Sequence, residues 1–136
     1  MPLESWRKVW RDGVAPLLSV DALEALREGL ERDDIHLTQG VTTRPLVDNG
    51  NGEEQCQGAC VLGYCGWQGE GLDTIGRVEE FFARMCFEID KSLGEPAGCR
   101  WFLNWWDESP RDEVRRELLA EVHLSLADHY LTAVGV

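Results

Sequence analysis

From Asp73 to Leu93 the chain sets apolar residues at helical spacing: Ile75, Val78, Phe81, Phe82, Met85, Cys86, Ile89 and Leu93 fall within about 140° of one face at 100° per residue. A helix that is apolar on one side draws its stability from the core it covers rather than from propensity. Gly94 follows at the position where a left-handed residue ends a helix. The segment therefore predicts a central helix over 73–93, and everything else has to pack around it.

Four further helices are expected beside it. Residues 3–11 align Leu3, Trp6 and Trp10 on one stripe with Arg7, Lys8 and Arg11 off it, and Gly13 and Pro16 are expected to end this helix. Ser19 is the expected N-cap of a helix over 20–32, with Leu23, Leu26 and Leu30 on a narrow stripe and Glu28 paired with Arg32 at i, i+4. Pro96 opens a short helix over about 97–107, favoured by the i, i+4 pairs Trp101/Trp105 and Phe102/Trp106, although the aromatic content of 98–106 also suits a strand. Ser109-Pro110-Arg111-Asp112 announces the last helix, expected to run to about Leu131.

That last helix is apolar twice over. Val114, Leu118, Leu119, Val122, Leu126 and Tyr130 form its main stripe, and Ala120, Leu124, Ala127 and Leu131 form a second on the opposite side. A helix apolar on two sides has to be covered on both, so a homodimer through 114–131 is expected.

Between 34 and 72 no helix is expected. Asn49-Gly50 and Asn51-Gly52 mark 44–58 as an exposed, flexible loop, while Ala59–Trp67 reads as a buried strand between glycines, paired with 35–43. The expected fold is mainly α, about five helices, with a short β-hairpin-like or irregular segment around 35–67; α+β is the second choice. At 136 residues the chain is expected to be one domain, 1–136, burying about two thirds of its surface without a staple.

Charge restricts the partners. The 25 acidic against 13 basic residues leave a net charge of −12, which repels phosphate backbones and anionic lipid alike. Nucleic acid and membrane are thus disfavoured, and a basic protein is the partner such a surface attracts. No secretory signal or apolar run of membrane-spanning length is present, so the expected location is cytoplasmic, where the five cysteines stay reduced.

Cys56, Cys60 and Cys65, spaced C-x3-C-x4-C among glycines, are the candidate ligands for a zinc or iron–sulfur site. The C-x2-C knuckles of structural zinc sites are missing, and packing as small buried hydrophobes is the competing assignment. Gln57-Gly58-Ala59-Cys60 and Cys65-Gly66-Trp67 resemble separate fragments of the papain-family nucleophile signature without its contiguous C-G-x-C-W. A small enzyme or ligand-binding protein with its site at the 56–72 loop would need one of these thiols beside His36, His123 or His129. Gly66, Gly69 and Gly71 match neither phosphate-loop pattern, and Glu113, Glu117 and Glu121 lack the Glu-x-x-His of a di-metal bundle.

The tryptophans carry the leading expectation. Burying Trp101, Phe102, Trp105 and Trp106 on one short helix requires a very broad apolar face, so at least one tryptophan is expected at the surface beside Asp107 and Glu108. The sequence therefore predicts an acidic interaction or regulatory domain with no catalytic residue. Trp101, Trp105, Trp106 and Asp107 form its partner-binding set, in general character resembling small acidic immunity proteins and antitoxins.

Overall fold

The computed structural model describes residues 5–45 and 54–133, and all structural statements concern these. Six helices carry the fold: α1 (Ser5–Val9), α2 (Val20–Glu31), α3 (Val61–Tyr64), α4 (Ile75–Leu93), α5 (Gly98–Glu108) and α6 (Arg111–Ala133). One antiparallel pair accompanies them, β1 (Thr43–Pro45) and β2 (Cys56–Ala59), in the register Thr43↔Ala59, Arg44↔Gly58 and Pro45↔Cys56. The mainly-α expectation with a short hairpin is thus met. The centre of the expected 44–58 loop, 46–53, lies outside the described residues.

Of the caps read from sequence, Ser19 and Gly94 are in place, and Thr74, which the pattern did not single out, caps α4 as well. Ser19 Oγ accepts the Ala22 N–H at 3.0 Å, Thr74 Oγ1 accepts from Arg77, and Gly94 ends α4 at φ 66°. Ile75, Val78, Phe81, Met85 and Ile89 of α4 are buried, with Phe82, Cys86 and Leu93 half-buried beside them. Residues 98–106 are helical, which resolves the helix-or-strand ambiguity.

Four expectations are corrected. The chain does not stop at Gly13: α1 widens into a π-type turn, Trp10–Val14, in which Ala15 N–H reaches back to the Trp10 carbonyl, and a 3-10 turn, Ala15–Leu17, accommodates Pro16 at its start. Ala59–Trp67 is not a strand, since Val61–Tyr64 is helical and Cys65–Gly69 forms a second π-type turn. The 34–72 stretch therefore holds a helix. A short apolar run fits a buried strand and a buried helix equally well, and here close packing decides: a Cβ on Gly66 would lie 2.7 Å from the Phe81 ring, and one on Gly69 2.4 Å from Ala22 Cα. Finally, Glu28 does not pair with Arg32. Arg27 binds Glu24, Glu28 and Glu31, and Arg32 turns to Asp34 at 3.0 Å.

The 33–40 segment is irregular and half-sunk in the core, so its backbone groups need partners other than water. Asp33 adopts φ 51° after the last turn of α2. Arg111 of α6 then grips the turn three ways, donating Nε to Asp33 Oδ1 (2.8 Å), Nη2 to the Asp34 carbonyl (2.8 Å) and Nη1 to the Leu37 carbonyl (2.7 Å). Thr38 N–H donates to the Ala59 carbonyl and Ala59 N–H to the His36 carbonyl, tying the segment to β2. The Trp106 indole N–H donates to the Thr38 carbonyl at 2.9 Å, and Gln39 Nε2 donates to the carbonyls of Trp106 and Ser109.

Two predictions follow from these contacts. Gly29 faces the Tyr64 ring, where an added Cβ would come within 2.7–2.8 Å of three ring and hydroxyl atoms, and Tyr64 is itself pinned by its hydroxyl donating to Asp34 Oδ2 at 2.7 Å. Gly29→Ala, which in an open helix stabilises by about 0.5–1 kcal/mol, should instead destabilise by about 1–3 kcal/mol in urea unfolding; a gain in stability would contradict this packing. Acid should weaken the same turn. The Arg111 hydrogen bond, with Arg115, holds Asp33 below the usual carboxylate range. Burial works to raise Asp34, but the His36 backbone N–H, the Tyr64 hydroxyl and Arg32 outweigh it and hold it low. A depressed carboxylate stabilises fully above its unfolded value, here 3.8, and this is lost as pH falls through the lower folded value. Tm should therefore drop below about pH 4, and Asp34→Asn, already destabilised at neutral pH, should show a shallower drop.

Candidate functional site

The tryptophan set does not form one surface. Trp106 is fully buried. Trp105 lies flat on Trp6 of α1, centroids 3.6 Å apart at 3°, with Phe102 beside both and Trp10 beyond it. Trp101 and Trp105 are half-buried on the flank of α5 that meets α1. Asp107 is on the other flank, accepting the Gly40 N–H at 2.9 Å. No described tryptophan is exposed, so the expected surface tryptophan is corrected: α1 supplies the cover that the sequence of α5 alone could not reveal. Beside Asp107, residues 40–42, Phe82, Leu103 and Cys60 enclose a notch of only about 60 Å³.

The cysteine loop is a filled core. Cys56, Cys60 and Cys65 are all buried, and burial pushes the Cys60 thiol up to about 12 and raises Cys65 further still. Cys56 is raised too, by burial first, while its Sγ donates to the Gly58 carbonyl. Thiols in this state are poor nucleophiles at neutral pH. Among the described residues no group of three His, Cys, Asp or Glu is placed to hold a metal ion. The histidines point elsewhere: His36 Nδ1 meets the Gln57 carbonyl at 2.8 Å, His123 Nε2 is 3.6 Å from Glu31, and His129 lies at the far end of α6.

A wide concavity lies where sequence reasoning placed no ligand site. The turns at 10–17, the start of α2 and the carboxyl half of α6 enclose an open groove of about 590 Å³. Ala15, Pro16, Val20 and Leu124 give it an apolar lining, with Arg11, Glu121, Asp128 and His129 on its sides. Arg11 binds buried Glu121 through both oxygens at 2.7 and 2.8 Å. Ser125 Oγ accepts the Trp10 indole N–H and donates to the Glu121 carbonyl, so it is committed to structure. Leu124 of the lining is 60% accessible, and Leu17 and Leu131, next in sequence to the lining residues Pro16 and Thr132, are 41% and 58% accessible. The second stripe of α6 was the one signal of this surface in the sequence. Most of its main stripe is spent inside the chain, where Val114, Leu118, Val122 and Leu126 are buried, while Tyr130 at its end is exposed.

Thiol reactivity tests these placements. At pH 8 an aromatic disulfide reagent should titrate Cys86, the half-buried cysteine, ahead of all others, with Cys56, Cys60 and Cys65 reacting only on unfolding; rapid native-state reaction of Cys60 or Cys65 would contradict the packed loop. Comparison of the chain with protein-family models, curated proteins and solved structures finds no match.

Proposed function

We propose that this protein is a non-catalytic interaction domain that docks a basic, amphipathic protein segment in the groove between the 10–20 turns and the carboxyl half of α6. The observation that carries this reading is the groove's combination of apolar lining and exposed leucines on a chain of net charge −12. Its volume suits a few anchoring side chains, and exposed Leu124 in its lining, with Leu17 and Leu131 adjacent in sequence to lining residues, supplies the apolar area that interfaces concentrate at their centre. Arg11 is neutralised by Glu121, leaving Asp128 and the exposed Asp12 and Asp21 nearby in sequence to favour Lys or Arg on the incoming segment. The tryptophans support the reading only as scaffold, since their stack fixes α1 and thereby the turns at 10–17.

A second copy of the chain competes for the same face, through Ala120, Leu124, Ala127 and Leu131. Charge argues against it: two chains of −12 repel, whereas a basic segment gains from the same field.

A Lys/Leu amphipathic model peptide provides the test. Its titration should perturb amide resonances of Ala15–Val20 and 124–132, with affinity falling as salt rises. Leu124→Asp should weaken binding at least tenfold while changing stability by no more than about 0.5 kcal/mol, because the side chain is largely exposed. Perturbations elsewhere, or none at millimolar peptide, would overturn the proposal, as would a concentration-dependent dimer in sedimentation that Leu124→Asp dissociates.

A further inference from the structure

Cys86 and Cys99 are the one pair of described cysteines whose sulfurs meet. Cys86 lies on the last turns of α4 and Cys99 in the first turn of α5, and the Cys99 S–H donates to Cys86 Sγ at 3.4 Å. Their backbones are held by contacts that do not involve sulfur. The Cys99 N–H donates to Asp90 Oδ1 at 2.8 Å, Gly94 turns the chain at φ 66°, and Gly98 packs so tightly on Leu93 that a Cβ there would lie 2.6 Å from its Cδ1. Cys86 is half-buried and reachable from solvent, whereas Cys99 is 2% accessible. Sulfurs held at this distance need approach by only about 1.4 Å to reach disulfide length, within the reach of side-chain rotation.

We propose that Cys86 and Cys99 are an oxidisable dithiol, in which Cys86 takes the oxidant and Cys99 resolves it, and that the resulting disulfide fastens α4 to α5. The oxidant class is a peroxide. The Cys86 sulfur attacks hydrogen peroxide, the O–O bond breaks, Cys86 becomes a sulfenic acid and one water leaves. Cys99 sulfur then attacks Cys86 sulfur, the S–O bond breaks, its thiol proton leaves with the hydroxyl as a second water, and the disulfide remains. The hydrogen bond from Cys99 lowers the Cys86 thiol and raises that of Cys99, which fits attack by Cys86 first. This inference is independent of the groove, since the pair lies on different elements from those that line it.

The full-length wild-type chain is treated with excess hydrogen peroxide, alkylated and digested with trypsin. The expected product is a cross-link between the peptides 85–91 and 92–100, lighter than their sum by two hydrogen atoms and reversed by dithiothreitol. The linked protein should melt on the order of 5 °C higher. Cys99→Ser should leave a sulfenic acid on Cys86 that dimedone traps; if that variant fails to fold, the wild-type peptide map decides alone. Oxidation of Cys86 to sulfinic acid without a link, a link to Cys60 instead, or full resistance to peroxide overturns the assignment, and a link that leaves Tm unchanged overturns the fastening role.

Discussion

An irregular stretch of backbone can cross the middle of a protein only if its N–H and C=O groups find partners there, and the 33–40 segment meets that condition with side chains from distant elements. Arg111 supplies two of these bonds, to the Asp34 and Leu37 carbonyls, and a third to the Asp33 carboxylate; Trp106 supplies one, to the Thr38 carbonyl, and β2 completes the set, while Gln39 of the segment caps the Trp106 and Ser109 carbonyls in return. Through these contacts α2, α5, α6 and the sheet all refer to one turn. A planar guanidinium suits this role because its donors leave in fixed directions toward several acceptors at once.

The arginines serve the fold more than the surface. Arg7, Arg11, Arg27, Arg32, Arg111 and Arg115 all bind carboxylates of the same chain. Pairing of this kind at partly exposed positions adds little stability per pair, yet it withdraws positive charge from any partner. The net charge of −12 is unchanged by this pairing, and it is this excess of acid that bears on the kind of partner the proposed groove would accept.

Aromatic packing and thiol packing divide the core between them. Trp6, Trp10, Phe102 and Trp105 join the amino-terminal turns to α5, while the glycine-rich 58–69 stretch lets α3 and its π-type turn sit directly on α4 and α2. The buried cysteines belong to the second region and act as small apolar side chains. Cys86 and Cys99 differ because the α4–α5 turn brings one half-buried thiol against one buried thiol.

The sequence by itself determined α2, α4 and α6, because long amphipathic periods and local caps such as Ser19 and Gly94 act within a few residues of each other. It determined the acidic charge and the second stripe of α6 for the same reason. Only tertiary structure decided that Ala59–Trp67 coils, since a short apolar run fits either geometry until glycines bring a neighbouring helix into contact. It also decided that Trp105 is covered, because Trp6 lies about a hundred residues earlier in the chain. The groove was out of reach for the same reason: Ala15, Pro16 and Val20 share no period with Leu124 and Asp128, and proximity between segments so far apart is fixed by packing, not by local pattern.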